Sequence, residues 1–359
     1  MRVLSESVER IRPLDSSAMA AARARQDTLT KPPGSLGRLE DLAIRLAGIT
    51  GQPLPEIVHK VIVTMAGDHG VVAEGVSAFP QAVTAQMVAN FLRGGAAINV
   101  LAHHLGARVV IVDMGVTADV EKDHAARTHT NLVVKKIAPG TGNIARGPAM
   151  SREQALLALT AGVEVVEAEL ARGLDILGVG EMGIGNTTPS AAIAAALTGY
   201  SPAEIVGRGT GVDDAGLARK VSAVERALSV NQPDPADALD VLAKVGGFEI
   251  GGLAGAMLAS AAHRRPVMVD GFIATAAAMI AASLAPQSRP YLIAAHRSRE
   301  RGHGIMLDWL GLEPLLDLEM RLGEGTGAAL GISLAEAACK VLCEMATFDE
   351  AGISGRAAP

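Results

Sequence analysis

A chain of 359 residues exceeds the size at which one hydrophobic core usually stops growing, so we expect one large domain and a smaller one. Aromatic residues make up only 2% of the chain, which argues against stacking platforms for single-stranded nucleic acid. The net charge of -6 gives no general attraction to polyphosphates or anionic membranes. Any bound phosphate must therefore be held by local groups.

The sequence contains no apolar signal core at its start and no run that we interpret as a membrane span. We therefore expect a soluble, cytoplasmic protein whose partners include neither a membrane nor a nucleic acid. Cys339 and Cys343 stand four residues apart on a predicted helix, without a nearby histidine pattern for a metal. We interpret both as reduced core residues.

The first 52 residues have helical spacing, and Ser35 is placed to cap a helix. Four apolar residues would share one face of that helix: Leu36, Leu39, Ala43 and Leu46. Residues 51–53, Gly-Gln-Pro, are typical of a hinge. We therefore predict a large α/β domain over residues 53–325 and a small helical domain built from 1–52 and 326–359.

Six short apolar runs follow the hinge, with helical patterns between most of them. The runs are 58–66, 108–114, 132–138, 175–180, 266–270 and 291–295. Such an alternation predicts an α/β fold with a parallel, roughly six-stranded, Rossmann-like sheet flanked by helices. Ser151 and Gln154 predict a capping box. Residues 199–265 show helices and no clear strand, so they form either an insertion or a long crossover.

Polar and glycine-rich segments follow three of the predicted strands, at 67–86, 181–188 and 296–303. Ligands of an open parallel sheet bind beyond the carboxyl ends of its strands, so these segments are candidates for the site. Gly178, Gly180 and Gly183 match the G-x-G-x-x-G pattern of dinucleotide folds. The acid that should follow about 20 residues later is replaced by another loop, which disfavours an NAD-dependent oxidoreductase.

Two glycine-rich loops, each followed by a predicted helix, are typical of a site for a single phosphate. Their candidate binding residues are Gly183, Gly185, Asn186 and Thr187 in the first loop and Gly209 and Thr210 in the second. Lys220, on the helix after the second loop, either adds a positive charge to this site or is an ordinary solvated lysine.

The sequence supports neither a metal site nor an enzymic nucleophile. Asp68 and His69 have no partner at ligand spacing, and no G-x-S-x-G pattern occurs. Two glycine-flanked carboxylates remain, Glu181 and Glu324. Taken alone, Glu324 is an acid at the entrance of a helix for which Thr326 is the candidate N-cap.

With these residues in place, the chain resembles the nicotinate-nucleotide–dimethylbenzimidazole phosphoribosyltransferase family over essentially its whole length. The resemblance is carried by six motifs in order: 31–38 (KPPGSLGR), 67–70 (GDHG), 181–188 (EMGIGNTT), 207–214 (GRGTGVDD), 269–272 (VDGF) and 321–329 (RLGEGTGAA). It implies transfer of the phosphoribosyl group of nicotinate mononucleotide to a benzimidazole-type base, which gives the α-ribazole phosphate of cobalamin's lower ligand. It also implies a homodimer and no cofactor.

The same resemblance implies roles for individual residues. Glu324 would be the general base, with Glu181 beside it, and Lys220, Ser298 and the groups around Gly183 and Gly209 would hold the phosphate. The pocket for the aromatic base would contain Ser77, Phe79, Pro80, Gln86 and Leu322. Within 296–303 the family pattern is looser, and additional arginines leave the phosphate contacts open.

One further alternative to the enzyme stays open. A non-catalytic sensor on the same fold would bind nicotinate mononucleotide without releasing nicotinate, but a sensor has no need of the acid at Glu324. The accepted base is also open, since benzimidazoles, purines and phenolic compounds differ by few pocket contacts, each worth about 1–3 kcal/mol.

Overall fold

The computed structural model describes residues 2–120, 131–209 and 211–354. Within these residues lies one parallel sheet with the strand order β3-β2-β1-β4-β5-β6. The strands are β1 (Lys60–Gly67), β2 (Arg108–Gly115), β3 (Leu132–Val134), β4 (Ile176–Met182), β5 (Val267–Val269) and β6 (Leu292–Ala294). All six predicted strands and the predicted fold class are confirmed.

The third strand is shorter than predicted. β3 ends at Val134, although the main-chain N–H groups of Lys135 and Ile137 still donate to β2. Lys135 and Lys136 form ion pairs with Glu164 and Asp113 instead of continuing a buried strand.

Helices connect the strands and cover the sheet. They are α1 (Arg2–Arg10), α2 (Ser16–Thr28), α3 (Arg38–Thr50), α4 (Ala82–Leu92), α5 (Ala97–Leu105), α6 (Arg152–Leu170), α7 (Thr187–Thr198), α8 (Pro202–Ile205), α9 (Asp214–Asn231), α10 (Ala238–Val245), α11 (Phe248–Ala262), α12 (Phe272–Leu284), α13 (His303–Leu310), α14 (Thr326–Glu344) and α15 (Phe348–Ala351). Two 3₁₀ helices lie at Gly70–Glu74 and Pro286–Tyr291.

Helices α11 and α14 pack on opposite faces of β1. Met65 lies against α11 at Gly252, whereas Ile62 lies against the entrance of α14 at Gly325. Residues three apart on a strand point to opposite faces, so the two helices sandwich the sheet. Every residue of β1 from Val61 to its end is buried, which explains its continuous apolar sequence.

Residues 199–265 form part of a long crossover and not an insertion. They contain α8 to α11 and belong to the connection between β4 and β5, which are adjacent strands of the sheet. Since the strands are parallel, the chain has to return across the sheet before it starts β5.

The predicted capping box is confirmed. The side chain of Ser151 accepts from the main-chain N–H of Gln154 across 3.1 Å, and Gln154 Oε1 accepts from the Ser151 N–H across 2.9 Å. The predicted cap at Ser35 is wrong, because α3 begins at Arg38. The carboxylate of Glu40 instead accepts from the main-chain N–H groups that precede the helix, including that of Leu36 at 3.0 Å.

The predicted cap at Thr326 is also wrong. Thr326 is the first residue of α14, and its hydroxyl donates to the carbonyl of Gly323 across 2.8 Å. Asp270, at the end of β5, supplies the missing acceptor for the N–H of Ala328 at 3.0 Å. A carboxylate distant in the sequence therefore replaces the local hydroxyl.

Helix α14 is the one helix of the described segments whose length and composition would suffice to cross a membrane, and 56% of that stretch is buried in the fold. It packs on the sheet and against α2 and α3, whereas α1 packs against α6 and α11. The division into two domains remains a prediction.

Candidate active site

A cavity lies at the carboxyl-terminal edge of the sheet. Its wall consists of the segments that follow β4, β5 and β6, together with residues 321–323 and Gly209. The predicted residues that line this substrate cavity are Glu181, Gly183, Asn186, Thr187, Gly209, Ser298 and Leu322. The chain thus brings both predicted phosphate loops and one of the two carboxylates to the same opening.

Glu181 stands near the end of β4 with only 6% of its surface exposed. Burial raises the pKa of its carboxyl group to about 8, and the neighbouring charges of Asp270, Glu249 and Glu324 act in the same direction. A hydrogen bond from the side-chain amide of Asn186 opposes this increase. Burial therefore favours the protonated form of Glu181 near neutral pH.

Glu324 has a left-handed backbone, with φ of +64° between Gly323 at +87° and Gly325 at +95°. Such a conformation costs a non-glycine residue about 1–3 kcal/mol and persists only where other contacts enforce it. The N–H of Glu324 donates to the carbonyl of Glu181 across 3.2 Å, and its carbonyl accepts from the hydroxyl of Thr64 across 2.8 Å. These bonds hold the acid's main chain against β4 and β1.

The glycines around Glu324 serve this backbone arrangement. A Cβ on Gly180, in β4, would overlap the main chain of Glu324 and Gly325. A Cβ on Gly323 would overlap the carboxylate of Glu181. Gly178 and Gly180 of the G-x-G-x-x-G pattern therefore lie inside a strand, where the second glycine admits the loop and not a dinucleotide.

Glu324 does not line the cavity that contains Glu181. Its Oε2 accepts from the N–H of Ile98 across 3.3 Å, at the amino end of α5. Burial raises the pKa of this carboxyl group, the charge of Asp270 raises it further, and the bond from Ile98 lowers it. The carboxylate therefore contacts α5, the helix that follows α4 in the chain, and α4 carries Gln86.

Lys220 is buried in the phosphate region and is not a solvated surface lysine. Only 1% of its surface is exposed, and its Nζ donates to the hydroxyl of Thr187 across 2.8 Å. A Cβ on Gly209 would lie 2.8 Å from the same nitrogen, so the glycine lets the second loop approach the ammonium group. Burial lowers the pKa of Lys220 to about 8, against the attraction of Glu300.

Ser298 reaches the same cavity from the loop after β6. It is 7% exposed, and its hydroxyl oxygen accepts from the N–H of Glu300 across 3.3 Å. Its own hydrogen is then available to a ligand. Gly185 has a φ of +90° and lies against Val72 outside the cavity wall, and Thr210 falls outside the described residues.

The predicted base pocket is only partly assembled around the substrate cavity. Leu322 lies in the wall and is 58% exposed. Ser77, Phe79, Pro80 and Gln86 lie between the end of β1 and the middle of α4 and do not line the cavity. Phe79 is 49% exposed and Gln86 is also exposed, so both side chains are accessible to a ligand.

Asp270 and His296 line the cavity at the ends of β5 and β6, although neither residue has a role of its own in the sequence-based prediction for the motif 269–272 and the segment 296–303. Asp270 accepts from the N–H of Gly325 across 3.1 Å, in addition to its bond with α14, and lies 3.6 Å from His296 Nε2. Burial raises the pKa of Asp270. The rule that placed Glu181 at a strand end would also have found Asp270, which is the last residue of the fifth predicted strand.

The additional arginines of the 296–303 segment line a neighbouring cavity. Arg299 and Arg301 lie there with Arg208 and Arg321, and Glu300 and Arg321 border both cavities. Arg321 donates to the carbonyl of Gly209 across 3.0 Å. Four cations therefore gather beside the phosphate loops of a chain whose net charge is -6.

The GDHG motif lies behind the first phosphate loop. His69 Nε2 lies 2.8 Å from Glu249 Oε1, and both side chains are essentially inaccessible. A Cβ on Gly183 would come within 3.3 Å of His69 Nε2, so the pair supports the floor of the loop. No cluster of three or more potential metal ligands occurs in the described parts of the chain.

An open parallel sheet with two glycine-rich loops, a buried lysine and two buried acids at its carboxyl edge is an arrangement suited to a nucleotide-dependent transferase. The model of a family described as Phosphoribosyltransferase matches residues 11–353, so the chain belongs to this family.

Its relatives carry a more specific name. Nicotinate-nucleotide–dimethylbenzimidazole phosphoribosyltransferases from Roseiflexus sp. (strain RS-1) and Desulforudis audaxviator (strain MP104C) are 59% and 60% identical, each over 99% of both chains. The crystal structure of CobT from Thermus thermophilus is 50% identical and superposes with a TM-score of 0.89, covering 94% of this chain and 99% of that one.

Proposed function

We propose that this chain transfers the 5-phosphoribosyl group of nicotinate mononucleotide to 5,6-dimethylbenzimidazole. The products are α-ribazole 5′-phosphate and nicotinate. The name shared by relatives of nearly equal length supports the reaction. The observation that carries the mechanism is the main-chain bond between Glu324 and Glu181, which keeps two buried acids together beside a phosphate site.

The reaction needs little from the protein at the leaving group. The nitrogen of the nicotinate ring is already cationic, so nicotinate leaves C1′ of the ribose with the bonding electron pair and without protonation. Direct attack by a nitrogen of the incoming base inverts C1′ from β to α. No enzymic nucleophile takes part, in keeping with Cys339, whose thiol pKa burial raises to about 12.

Glu324 acts as the general base in this proposal. The attacking benzimidazole must lose its N–H proton, and a carboxylate within about 3 Å of that nitrogen contributes roughly 10²–10⁴-fold. Burial raises the pKa of Glu324, and a higher pKa makes the carboxylate a stronger base. The clamped left-handed backbone fixes the acid before the substrate arrives, which reduces the cost of positioning.

Glu181 stabilises the positive charge that develops on the ribose as the old bond breaks. This role requires the ionised form, whereas burial alone favours the protonated form near neutral pH. A cationic nicotinate ring in the cavity would lower the pKa of Glu181 and promote loss of its proton. Donor binding and ionisation of Glu181 are therefore coupled in this proposal.

The donor's phosphate is held by Lys220, Ser298 and the main-chain N–H groups around Gly183 and Gly209. Thr187 accepts from Lys220, so its own hydroxyl hydrogen remains available, and the same is true of Ser298. A charged amine, two hydroxyls and a helix amino end form a suitable set of donors for one phosphate.

The aromatic base is proposed to lie between Leu322 and the segment that carries Ser77, Phe79, Pro80 and Gln86. The Glu324 carboxylate faces the helix that follows this segment, which supports the assignment. We further propose that the protein acts in the cytoplasm as a homodimer, which light scattering in solution would test.

The decisive experiment is to incubate the protein with nicotinate mononucleotide and a panel of benzimidazoles, purines and phenols. Release of nicotinate with formation of an α-configured glycoside of dimethylbenzimidazole is the expected result. Binding of the mononucleotide without nicotinate release would identify a sensor, and a β-configured product would exclude direct displacement.

A further inference from the structure

A buried histidine stands behind the phosphate side of the substrate cavity. His303 begins α13 and is 0% exposed. Its Nδ1 accepts from the main-chain N–H of Ser298 across 2.8 Å, and its Nε2 lies 2.9 Å from the hydroxyl of Thr275. His303 is not part of the cavity wall, whereas Ser298 is.

These contacts determine which atom donates in each hydrogen bond between Ser298, His303, Thr275 and Gly271. A main-chain N–H can only donate, so His303 Nδ1 is the unprotonated ring nitrogen. The neutral ring then carries its proton on Nε2, which donates to Thr275 Oγ1. The Thr275 hydroxyl in turn donates a hydrogen bond to the carbonyl of Gly271, 2.8 Å away. The hydrogen bonds run in one direction, from Ser298 to Gly271.

The two ends of this chain lie on different loops of the same cavity. Ser298 follows β6, and Gly271 follows β5 and is also part of the wall. A Cβ on Gly271 would lie 3.7 Å from Ser298 Cβ, so the two positions face each other. His303 therefore connects, through hydrogen bonds, the loop that follows β6 with the loop that follows β5.

We propose that His303 is a positioning residue that fixes the main chain of Ser298 so that its hydroxyl meets the phosphate of the mononucleotide donor. This inference rests on the proposed function, because it concerns the phosphate contact assigned to Ser298. The ring acts through its Nδ1 acceptor and touches no substrate.

The ring stays neutral under working conditions, as the chain of hydrogen bonds requires. Burial lowers the pKa of His303 to about 3, and its interactions with the neighbouring His296 and Arg297 act in the same direction. A proton on Nδ1 would face the Ser298 N–H and break the link. The arrangement is thus a fixed support rather than a pH switch.

Three substitutions distinguish the contribution of the Nδ1 acceptor from that of the Nε2 donor. His303→Leu removes both hydrogen bonds, His303→Asn restores an acceptor near the position of Nδ1, and His303→Gln restores a donor near that of Nε2. We expect the leucine variant to raise KM for nicotinate mononucleotide about tenfold, the effect of one lost hydrogen bond to a charged ligand. Asparagine should return KM to within about threefold of the original, and glutamine should not.

A donor without phosphate gives a readout that a general packing defect would not produce. Nicotinate riboside, used as a competitive inhibitor, should show the same inhibition constant within about twofold in the leucine variant and the unmodified protein. KM for dimethylbenzimidazole should also stay within about twofold. His263→Leu is the matched control, because His263 ends α11 at the opposite edge of the sheet and pairs with Glu167.

The inference is overturned if the leucine variant keeps its KM for the mononucleotide, if the riboside loses affinity equally, or if glutamine rescues as well as asparagine. If the leucine variant does not fold, the asparagine and glutamine variants alone still decide the question. Ser298→Ala separates the inference from the proposed function. An unchanged KM in that variant refutes the phosphate contact itself, whereas a raised KM with no effect at His303 refutes only the positioning role.

Discussion

The main-chain N–H of Glu324 donates to the main-chain carbonyl of Glu181 across 3.2 Å, which joins two acids that are 143 positions apart in sequence (324 - 181). Both side chains are only 6% exposed, and burial raises the pKa of both carboxyl groups. The two carboxylates differ in their surroundings. Glu181 lines the cavity, whereas the Glu324 carboxylate accepts a hydrogen bond at the amino end of α5. One backbone contact thus joins two acids whose carboxylates have different surroundings.

Glu324→Gln should bind both substrates with KM values within a few-fold of the original and lose roughly 10²–10⁴-fold in kcat. Glutamine keeps an oxygen that accepts from Ile98 but cannot take the proton of the base. Steady-state rates of nicotinate release measure the effect, with Glu313→Gln on the surface as the control. A nearly normal kcat would eliminate Glu324 as the base.

Gly180→Ala should inactivate the protein through the backbone of the acid. The added methyl group would overlap the main chain of Glu324 and Gly325, which cannot move aside as a flexible side chain can. We expect a loss of about 1–3 kcal/mol in the free energy of unfolding and a severe loss of kcat. Chemical denaturation and steady-state kinetics measure the two quantities.

Gly178→Ala is the matched control on the same strand. Its methyl group would approach side-chain carbons, 3.0 Å from Ile332 Cδ1 and 3.1 Å from Ile62 Cγ1. These side chains can adjust, so stability should fall while kcat is largely kept. Equal losses of kcat in both variants would show that Gly180 has no special relationship to Glu324.

The sheet was predictable because β1, β2 and β4 are buried on both faces and therefore read as continuous apolar runs. The rule that ligands bind at carboxyl ends of strands also placed Glu181, Ser298 and the phosphate loops at one edge. The buried state of Lys220 did not follow, since a lysine on an amphipathic helix has the same local sequence whether it faces solvent or a cavity.

The predicted caps at Ser35 and Thr326 failed for a different physical reason. At α3 a carboxylate accepts from main-chain N–H groups just before the helix, and at α14 a carboxylate accepts from main-chain N–H groups at the start of the helix. Glu40 lies within its own helix, and Asp270 comes from another strand. A local pattern cannot identify a partner that the tertiary fold brings in, and for the same reason the left-handed backbone of Glu324 was not foreseen.

Glu181→Gln should change how stability depends on pH. The folded-state pKa of Glu181 is about 8, above the unfolded value, so the folded protein retains a proton that the unfolded chain releases. Stability attributable to this group therefore falls as pH rises from about 4.3 to about 8. Glutamine cannot ionise, so the variant should gain stability relative to the original protein across this window. Urea unfolding at several pH values tests this, and a constant difference would contradict the raised pKa.

The ionisation of Lys220 should determine the pH above which kcat/KM for nicotinate mononucleotide declines. Burial lowers its pKa to about 8, and only the ammonium form attracts a phosphate, so kcat/KM for the mononucleotide should decline above about pH 8. Lys220→Met should raise KM for the donor about 10–100-fold and abolish that decline, because it removes a charged hydrogen-bond donor. Lys220→Arg retains a charge through the same range and should extend activity to higher pH. The measurement is the pH profile of kcat/KM in the three proteins, with KM for dimethylbenzimidazole as the internal control. An alkaline decline that persists in the methionine variant would assign it to another group and remove Lys220 from the phosphate site.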